Sequence, residues 1–490
     1  MAKFNVGLSE ANKTFNNEGA IAFQMSDKEK LVTQVLTSLF NENKFYGDNS
    51  QDILQTAKNV IKTDARFVAN LCIFARSEMH LRTISHVLAS ELAKSTEGKN
   101  FVRKVLNKII ERPDDMTEVL AYYINTYGKP IPNSIKKGLA DSFSRFDEYQ
   151  LAKYNRDNAV KLKDILCLVH PKAKDEKQND LWKGLLEDNL EIPVTWETEL
   201  SSKGNTKETW ESLIDENKLG YMAMIRNLRN IIRSEAANLH KVYDYLTDES
   251  RVLKSKQLPF RYYSAYKALV KEGIGTSKIF DALETAIKTS TKNIDKLRGK
   301  TLITADVSGS MNSPISSKSE LTCAEVAVLM LSIANYICEE TITTTFDDAL
   351  YSCNLSTHNG IIANANSVKV NGGGTDITLP LLYLLDKKIF VDRIILLSDN
   401  EINRGYSYSI GYGGLKTCQT LVEEYKKKVN PDVWVHAIDM QGYGTQQFSG
   451  RNVNIMAGWN EKVFDFISAA EQGTLTLISK INNYYFKQMD

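Results

Sequence analysis

The sequence predicts an α plus α/β protein, a long helical module followed by a doubly wound α/β domain. Three observations predict it. Apolar residues recur at helical spacing up to about residue 300, with no strong strand signal among them. From Lys300 onward, short apolar strands alternate with helices. Three short polar motifs then fall at the ends of those strands, where α/β sheets hold their ligands.

Composition narrows the class. Hydrophobic residues make up 42% and charged residues 25% of 490, which is ordinary for a globular protein and excludes a mainly disordered chain. At roughly 100–200 residues per domain, two to four domains are expected. The net charge is +1, so a polycationic architectural protein is excluded, while a local basic patch is not. Six cysteines include no CxxC pair, and most lie in apolar runs such as Asn70-Leu-Cys-Ile-Phe74. Buried free thiols in a reducing compartment are expected. The N-terminal Met-Ala-Lys-Phe-Asn-Val lacks an apolar signal core. The longest apolar run, Ala324 to Ile337, is interrupted by Glu325, Ser332 and Asn335 and is too short to span a bilayer. A soluble cytoplasmic protein with no membrane partner is the expectation.

In the first part, Lys30-Leu-Val-Thr-Gln-Val-Leu-Thr-Ser-Leu-Phe40 places apolar residues at 31, 32, 35, 36, 39 and 40, a helical pattern. Further helices are predicted near 52–62, 65–77, 81–94, 101–112, 116–127, 134–146 and 161–169. Others follow near 207–217, 219–233, 236–247, 259–272 and 276–290. Asp114 and Asp115 after Pro113, and Thr276 after Gly275, read as helix starts. Paired antiparallel helices in a row suggest an α-solenoid of the HEAT type. No clean period accompanies them, so an irregular helical bundle stays open.

The second part opens on the strand Lys300-Thr-Leu-Ile-Thr-Ala-Asp306. A helix near 320–339 follows, then strands at 341–346 and 367–370, a helix at 377–387 and a strand at 393–397. A helix at 415–428, a strand at 432–438, a strand near 453–456 and a helix near 460–470 complete the pattern. Such alternation implies a parallel sheet covered on both faces.

The three motifs are Asp306-Val-Ser-Gly-Ser310 after the first strand, Gly372-Gly-Gly-Thr-Asp376 before a helix, and Ser398-Asp399-Asn-Glu401 after the strand at 393–397. A hard ion such as Mg²⁺ takes octahedral oxygen ligands, keeps waters and uses one or two carboxylates. Asp306 and Asp399 supply charge, and Ser308, Ser310 and Thr375 supply neutral hydroxyls. Each motif alone is weak, since Ser-Gly-Ser is commonly only a turn. Together, in this order on these strand ends, they predict one divalent metal ion, magnesium.

Basic and aromatic residues cluster in the helical part. One run holds Lys153, Arg156, Lys163, His170 and Lys172; another holds Arg226, Arg229 and Arg233 in 221–233. Cations neutralise phosphates, and Tyr, His and Arg stack on unpaired bases. A solvated helix face is the plain alternative for each run. Arg226, Arg229 and Arg233 stand at i, i+3 and i+7, a basic stripe on one face of an apolar helix.

Two resemblances attach to these residues. The motifs at 306–310, 372–376 and 398–401 resemble the metal-ion-dependent adhesion site of von Willebrand factor A-like domains, over 298–490. That resemblance implies ligation through Asp306, Ser308, Ser310 and Thr375, directly or through water, and through Asp399, and so binding without catalysis. The helical part, 1–297, is similar to the TROVE module of Ro autoantigen proteins. It carries Asn17-Glu-Gly-Ala-Ile-Ala-Phe-Gln24, Ala152-Lys-Tyr154, Leu162-Lys-Asp-Ile-Leu166, Leu168-Val-His170-Pro-Lys172, Met224-Ile-Arg-Asn-Leu228 and Leu258-Pro-Phe260. The resemblance, closer to bacterial or phage members, implies a HEAT-like helical-repeat ring closed by the A-like domain. It further implies a Y RNA on the outer surface, misfolded-RNA 3′ ends in the hole, and an exoribonuclease tethered through the RNA. Lys153 and His170 match its RNA-contacting positions. Asp157 departs from the basic character expected near 155–161.

Two other classes compete. A metal-dependent protein-binding scaffold would use the metal domain and leave the helices as support. A metal-dependent nuclease would need a second metal's carboxylates or a general base near 306, 375 and 399, and neither is evident.

Overall fold

The computed structural model describes residues 13–15, 21–24, 26–36, 51–155, 159–191, 193–315, 321–399, 406–408, 415–441, 445–457, 462–471 and 477–487. These fall into two compact units, and the chain passes between them after Ser26, Thr198 and Thr476.

One unit comprises 27–198 and 477–490. Its helices are Asp27–Leu36, Gln51–Ser77, Thr83–Lys94, Lys99–Ile109, Pro113–Tyr127, Asn133–Phe143, Glu148–Tyr154, Leu162–Val169, Glu176–Leu186 and Leu477–Asn482. They stack in two rows. Gln51–Ser77 packs on Lys99–Ile109, which packs on Asn133–Phe143, which packs on Leu162–Val169. Thr83–Lys94 packs on Pro113–Tyr127 in the second row. Each helix therefore buries one stripe against its row and another against its hairpin partner, the arrangement of an α-solenoid. Asp64 leaves helical geometry inside Gln51–Ser77, and its carboxylate accepts the Phe67 N–H at 3.0 Å. The two helices expected at 52–62 and 65–77 are thus one element restarted by a side-chain cap. Pro113 occupies the first turn of its helix, as Asp114 and Asp115 suggested. The helices Glu148–Tyr154 and Glu176–Leu186 had no counterpart in the sequence reading. Residues after Leu477 dock on the first rows: Tyr484 meets Phe74 edge-on at 5.3 Å, and Phe101 meets Phe486 at 5.1 Å.

The other unit comprises 1–26 and 199–476. It begins with β1 (Lys13–Phe15) and β2 (Ile21–Gln24), which corrects the expectation of no strand before residue 300. Helices Lys207–Asp215, Tyr221–Arg233, Leu239–Thr247, Glu249–Ser255, Pro259–Glu272 and Ser277–Ser290 follow. The α/β body holds β3 (Leu297–Asp306), β4 (Cys338–Phe346), β5 (Leu350–Ser352), β6 (Arg393–Ser398), β7 (Tyr406–Tyr408), β8 (Leu415–Thr417), β9 (Trp434–Asp439), β10 (Thr445–Gln446) and β11 (Val453–Ala457). Six of these form one sheet in the order β11-β9-β6-β3-β4-β5. All pairs in it are parallel except the edge pair β4–β5, so the sheet is mixed where a parallel one was expected. β10 pairs antiparallel with β2. The segment 367–370, expected as a strand, is the end of the helix Ile361–Ser367 and the loop after it. One face of the sheet buries Leu302, Phe346, Ile394, Leu396 and Val435 beneath Leu381, Leu421 and Tyr425.

The helices from 207 to 290 group with this body, although the texture changes only at 297/298. The reason is polar as well as apolar. Glu284 of Ser277–Ser290 accepts the Ile362 N–H at 2.9 Å and the Ala363 N–H at 3.2 Å. Tyr263 Oη donates to Asn366 Oδ1 at 3.3 Å, and Lys267 pairs with Glu325 at 2.6 Å.

Candidate functional site

Strand order reverses at β3: β4 is added on one side and β6 on the other. The carboxyl ends of β3 and β6 therefore flank a crevice. Asp306 ends β3 and Asp399 directly follows β6; both are fully buried. Ser398 Oγ donates to Asp306 Oδ2 at 2.7 Å, and the Ser308 N–H donates to Asp306 Oδ1 at 2.9 Å. The Ser308 and Ser310 hydroxyls stand 3.3 Å apart. Asp306, Ser308 and Ser310 thus form one turn.

The loop carrying Thr375 is stitched to that turn. Gly309 N–H donates to Gly373 O, and Gly372 N–H donates to Val307 O, each at 2.9 Å. Gly372 has φ +81°, a conformation that favours glycine. A Cβ on Gly373 would stand 3.0 Å from the carboxylates of Asp347 and Asp348. Those two carboxylates line the loop and were absent from the sequence reading, which named Ser398 in its third motif but gave it no role. Thr375 itself is buried.

Burial pushes the Asp306 carboxyl up to about 7, and the nearby charge of Asp399 adds to it against the hydrogen bonds from Ser308 and Ser398. Two buried carboxylates that oppose each other's ionisation, ringed by hydroxyls, are a donor set suited to a hard cation. Among the described residues no group of three or more His, Cys, Asp or Glu side chains is placed to hold a metal. An ion here would rest on the two carboxylates, hydroxyls and water.

The basic residues divide between the two units. Lys153 lies in the last turn of the helix Glu148–Tyr154, with its ammonium 5.7 Å from the Tyr149 ring and 5.9 Å from the Tyr154 ring. Lys163 is bound to Asp188 at 2.5 Å. His170 caps Leu162–Val169 in the left-handed conformation and is exposed, as is Lys172. Arg156 lies outside the described residues. Arg226, Arg229 and Arg233 are all exposed on Tyr221–Arg233, whose other face buries Met224, Ile225, Leu228 and Ile231. The predicted stripe is therefore real, but two of its members share a partner. Arg229 pairs with Glu272 Oε1 at 3.2 Å and Arg233 with Glu272 Oε2 at 2.8 Å. Glu272 lies on a different helix, so no periodicity in the sequence signalled it. Asn227 is buried and donates to Ala223 O at 2.9 Å, a helix-internal role.

Comparison with known proteins adds the following. The TROVE domain family model matches residues 16–188 and 188–278, and the Ro60 vWA domain model matches 300–467. Telomerase protein component 1 of Rattus norvegicus is 24% identical over 325 residues, which is 49% of this chain and 12% of that protein. The chain thus spans only about an eighth of that relative's length. The RNA-binding protein RO60 of Deinococcus radiodurans is 21% identical over 444 residues, 79% of this chain and 83% of that one. The RNA-binding protein RO60 of Caenorhabditis elegans is 28% identical over 276 residues, 52% of this chain and 40% of that one. The crystal structure of the Deinococcus radiodurans Ro protein has the same fold, with a TM-score of 0.62 at 17% identity, covering 92% of this chain and 100% of that one.

Proposed function

Because this chain belongs to the Ro family, carrying a TROVE domain ahead of a Ro60 vWA domain, we propose that it is a non-catalytic RNA-binding protein of RNA quality control. Its ligands are a Y-type small noncoding RNA and the single-stranded 3′ ends of misfolded RNAs, and an exoribonuclease is tethered through the small RNA. One observation carries this reading to particular residues. Arg226, Arg229 and Arg233 form an exposed cationic stripe on a helix of a chain whose relatives are named RNA-binding proteins. With a near-neutral whole molecule, such a stripe concentrates the phosphate-binding charge locally. Exposed His170 and Lys172 offer a second contact area.

The vWA domain holds one Mg²⁺ through Asp306, Ser308, Ser310, Thr375 and Asp399 in this reading. The buried, mutually repelling carboxylates support that assignment. An ion held there would supply a Lewis-acidic grip for an acidic partner group, with Ser308, Ser310 and Thr375 as its neutral oxygen donors. No helix among the described residues is long and apolar enough to cross a membrane, and we place the protein in the cytoplasm.

RNA copurifying at moderate salt and a mobility shift with a stem bearing a single-stranded tail test the proposal. Charge reversal at Arg226 and Arg229 is expected to abolish the shift, while Asp306→Ala leaves it near wild type. RNA-free protein that gives no shift would sink it. Function kept on charge reversal of Arg226 and Arg229 but abolished by Asp306→Ala would favour a metal-dependent protein-binding scaffold.

A further inference from the structure

Glu272 is oddly placed for its own helix. It is the last residue of Pro259–Glu272, ahead of Gly273 in the left-handed conformation. A helix carboxyl end carries partial negative charge, so an acidic side chain there is disfavoured by its own element. What holds it is the neighbouring helix. Arg229 and Arg233, one turn apart on Tyr221–Arg233, each take one of its two oxygens. Two guanidiniums converging on one small oxyanion make an anion site whose present occupant is a tethered carboxylate.

We infer that Glu272 is an internal stand-in for an RNA phosphate, occupying the Arg229–Arg233 fork until a backbone phosphate displaces it. This rests on the RNA-binding reading above. Two features make displacement feasible. Both arginines are about half exposed, at 46% and 54%, so a phosphate has access. Glu272 is less open, at 20%, so the phosphate enters from the arginine side, where the ion pairs face solvent and are weakened by it. Phosphate geometry suits paired guanidiniums at least as well as carboxylate does. Arg226, one turn nearer the helix start and exposed, then extends the track to the next phosphate. Glu272 would thereby lower affinity for any weakly contacting anion and admit only ligands that engage the whole stripe. The fork is a selectivity device as well as a contact.

The test is a four-protein comparison of RNA affinity at fixed ionic strength, with a stem bearing a single-stranded tail. The proteins are wild type, Glu272→Gln, Arg229→Ala/Arg233→Ala, and the triple variant. Glu272→Gln keeps the size of the side chain and removes its charge. It is expected to tighten binding roughly three- to tenfold, as one competing charge–charge contact is removed. The double variant is expected to bind more weakly than wild type, and Glu272→Gln is expected to add nothing to it. Equal tightening with and without the arginines would mean that Glu272 acts only by general repulsion and would overturn the inference. Unchanged affinity in Glu272→Gln, with wild type binding, would overturn it too. Failure of all four proteins to bind sinks the RNA reading itself and this inference with it. Thermal melts of the same proteins confirm that each is folded.

Discussion

Asp306 and Asp399 set the chemistry at the smallest scale. Both are fully buried at neighbouring strand ends, and the charge on Asp399 opposes ionisation of Asp306. Replacing one with a neutral isostere therefore separates two effects. In metal-free protein, Asp306→Asn removes the repulsion while its amide oxygen still accepts from Ser398 or Ser308. Its stability is expected to equal or exceed wild type, by about 0–2 kcal/mol. With Mg²⁺ the order reverses. Saturating a native-state site hundredfold above Kd stabilises by about 2.7 kcal/mol, and Asp306→Asn is expected to lose that gain. Thermal melts with and without Mg²⁺ read both. A magnesium shift that survives Asp306→Asn would remove this residue from the metal set. The grouping of Asp306, Ser308, Ser310 and Thr375 with Asp399 was legible because they sit in short runs whose strand placement was also legible. Ser398, Asp347 and Glu272 were not, because their partners are distant in sequence and only the folded backbone brings them together.

At the scale of elements, what could be read was periodicity, and what failed was pairing. The apolar pattern predicted a break near Asp64, and the structure places a cap there. Val368-Lys-Val370 has the residue types of a strand, but a strand exists only with a ladder partner. Here the segment leads from Ile361–Ser367 to the glycine loop. β1, β2 and β10 span two to four residues, too few for alternation to register. Element packing was equally invisible, and Glu284 is its clearest case. Its carboxylate sits on the first N–H groups of Ile361–Ser367, and a Cβ on Gly360 would stand 2.5 Å from its carboxyl carbon. Glu284→Ala leaves those N–H groups without their acceptor, at an expected cost of about 2–3 kcal/mol. Glu284→Gln keeps an acceptor oxygen and is expected to cost less than half as much. Urea midpoints of the two variants check this. Equal losses would mean that packing of the side chain, not its hydrogen bonding, ties Ser277–Ser290 to Ile361–Ser367.

For the molecule as a whole, 61 basic and 60 acidic residues nearly cancel, so pH acts through a few buried groups and not through net charge. One such cluster lies in the unit of stacked helices. Asp115 is fully buried and accepts the Glu111 and Arg112 N–H groups at 2.9 Å each, with Arg82 Nε at 2.5 Å. Burial raises its carboxyl pKa, but the hydrogen bond and charge of His86, followed by Arg82, outweigh burial and hold it well below the usual range. Burial depresses His86, and contacts with Asp115 and Glu118 more than restore it, so its pKa is raised. His436, buried on β9, is shifted the other way by burial, against Glu471. The two histidines therefore oppose each other. The His86 contribution is full below pH ~6.5 and fades as pH rises through its folded value, while that of His436 is present above pH ~6.5 and fades as pH falls. Acid loss is left mainly to carboxylates with lowered pKa, led by Asp115, whose contribution is present above pH ~3.9 and lost below it. Asp115→Asn strips a buried counter-charge from Arg82 and His86 and is expected to cost about 3–5 kcal/mol near neutral pH. The gap between wild type and variant should then hold down to pH ~4 and narrow progressively below it, where the unfolded chain takes up the proton that folded Asp115 still refuses. Urea midpoints of both proteins across that range read the gap directly. A gap that stays constant well below pH ~4 would show that Asp115 acts through its shape and hydrogen bonds, with its charge immaterial to the stacked helices.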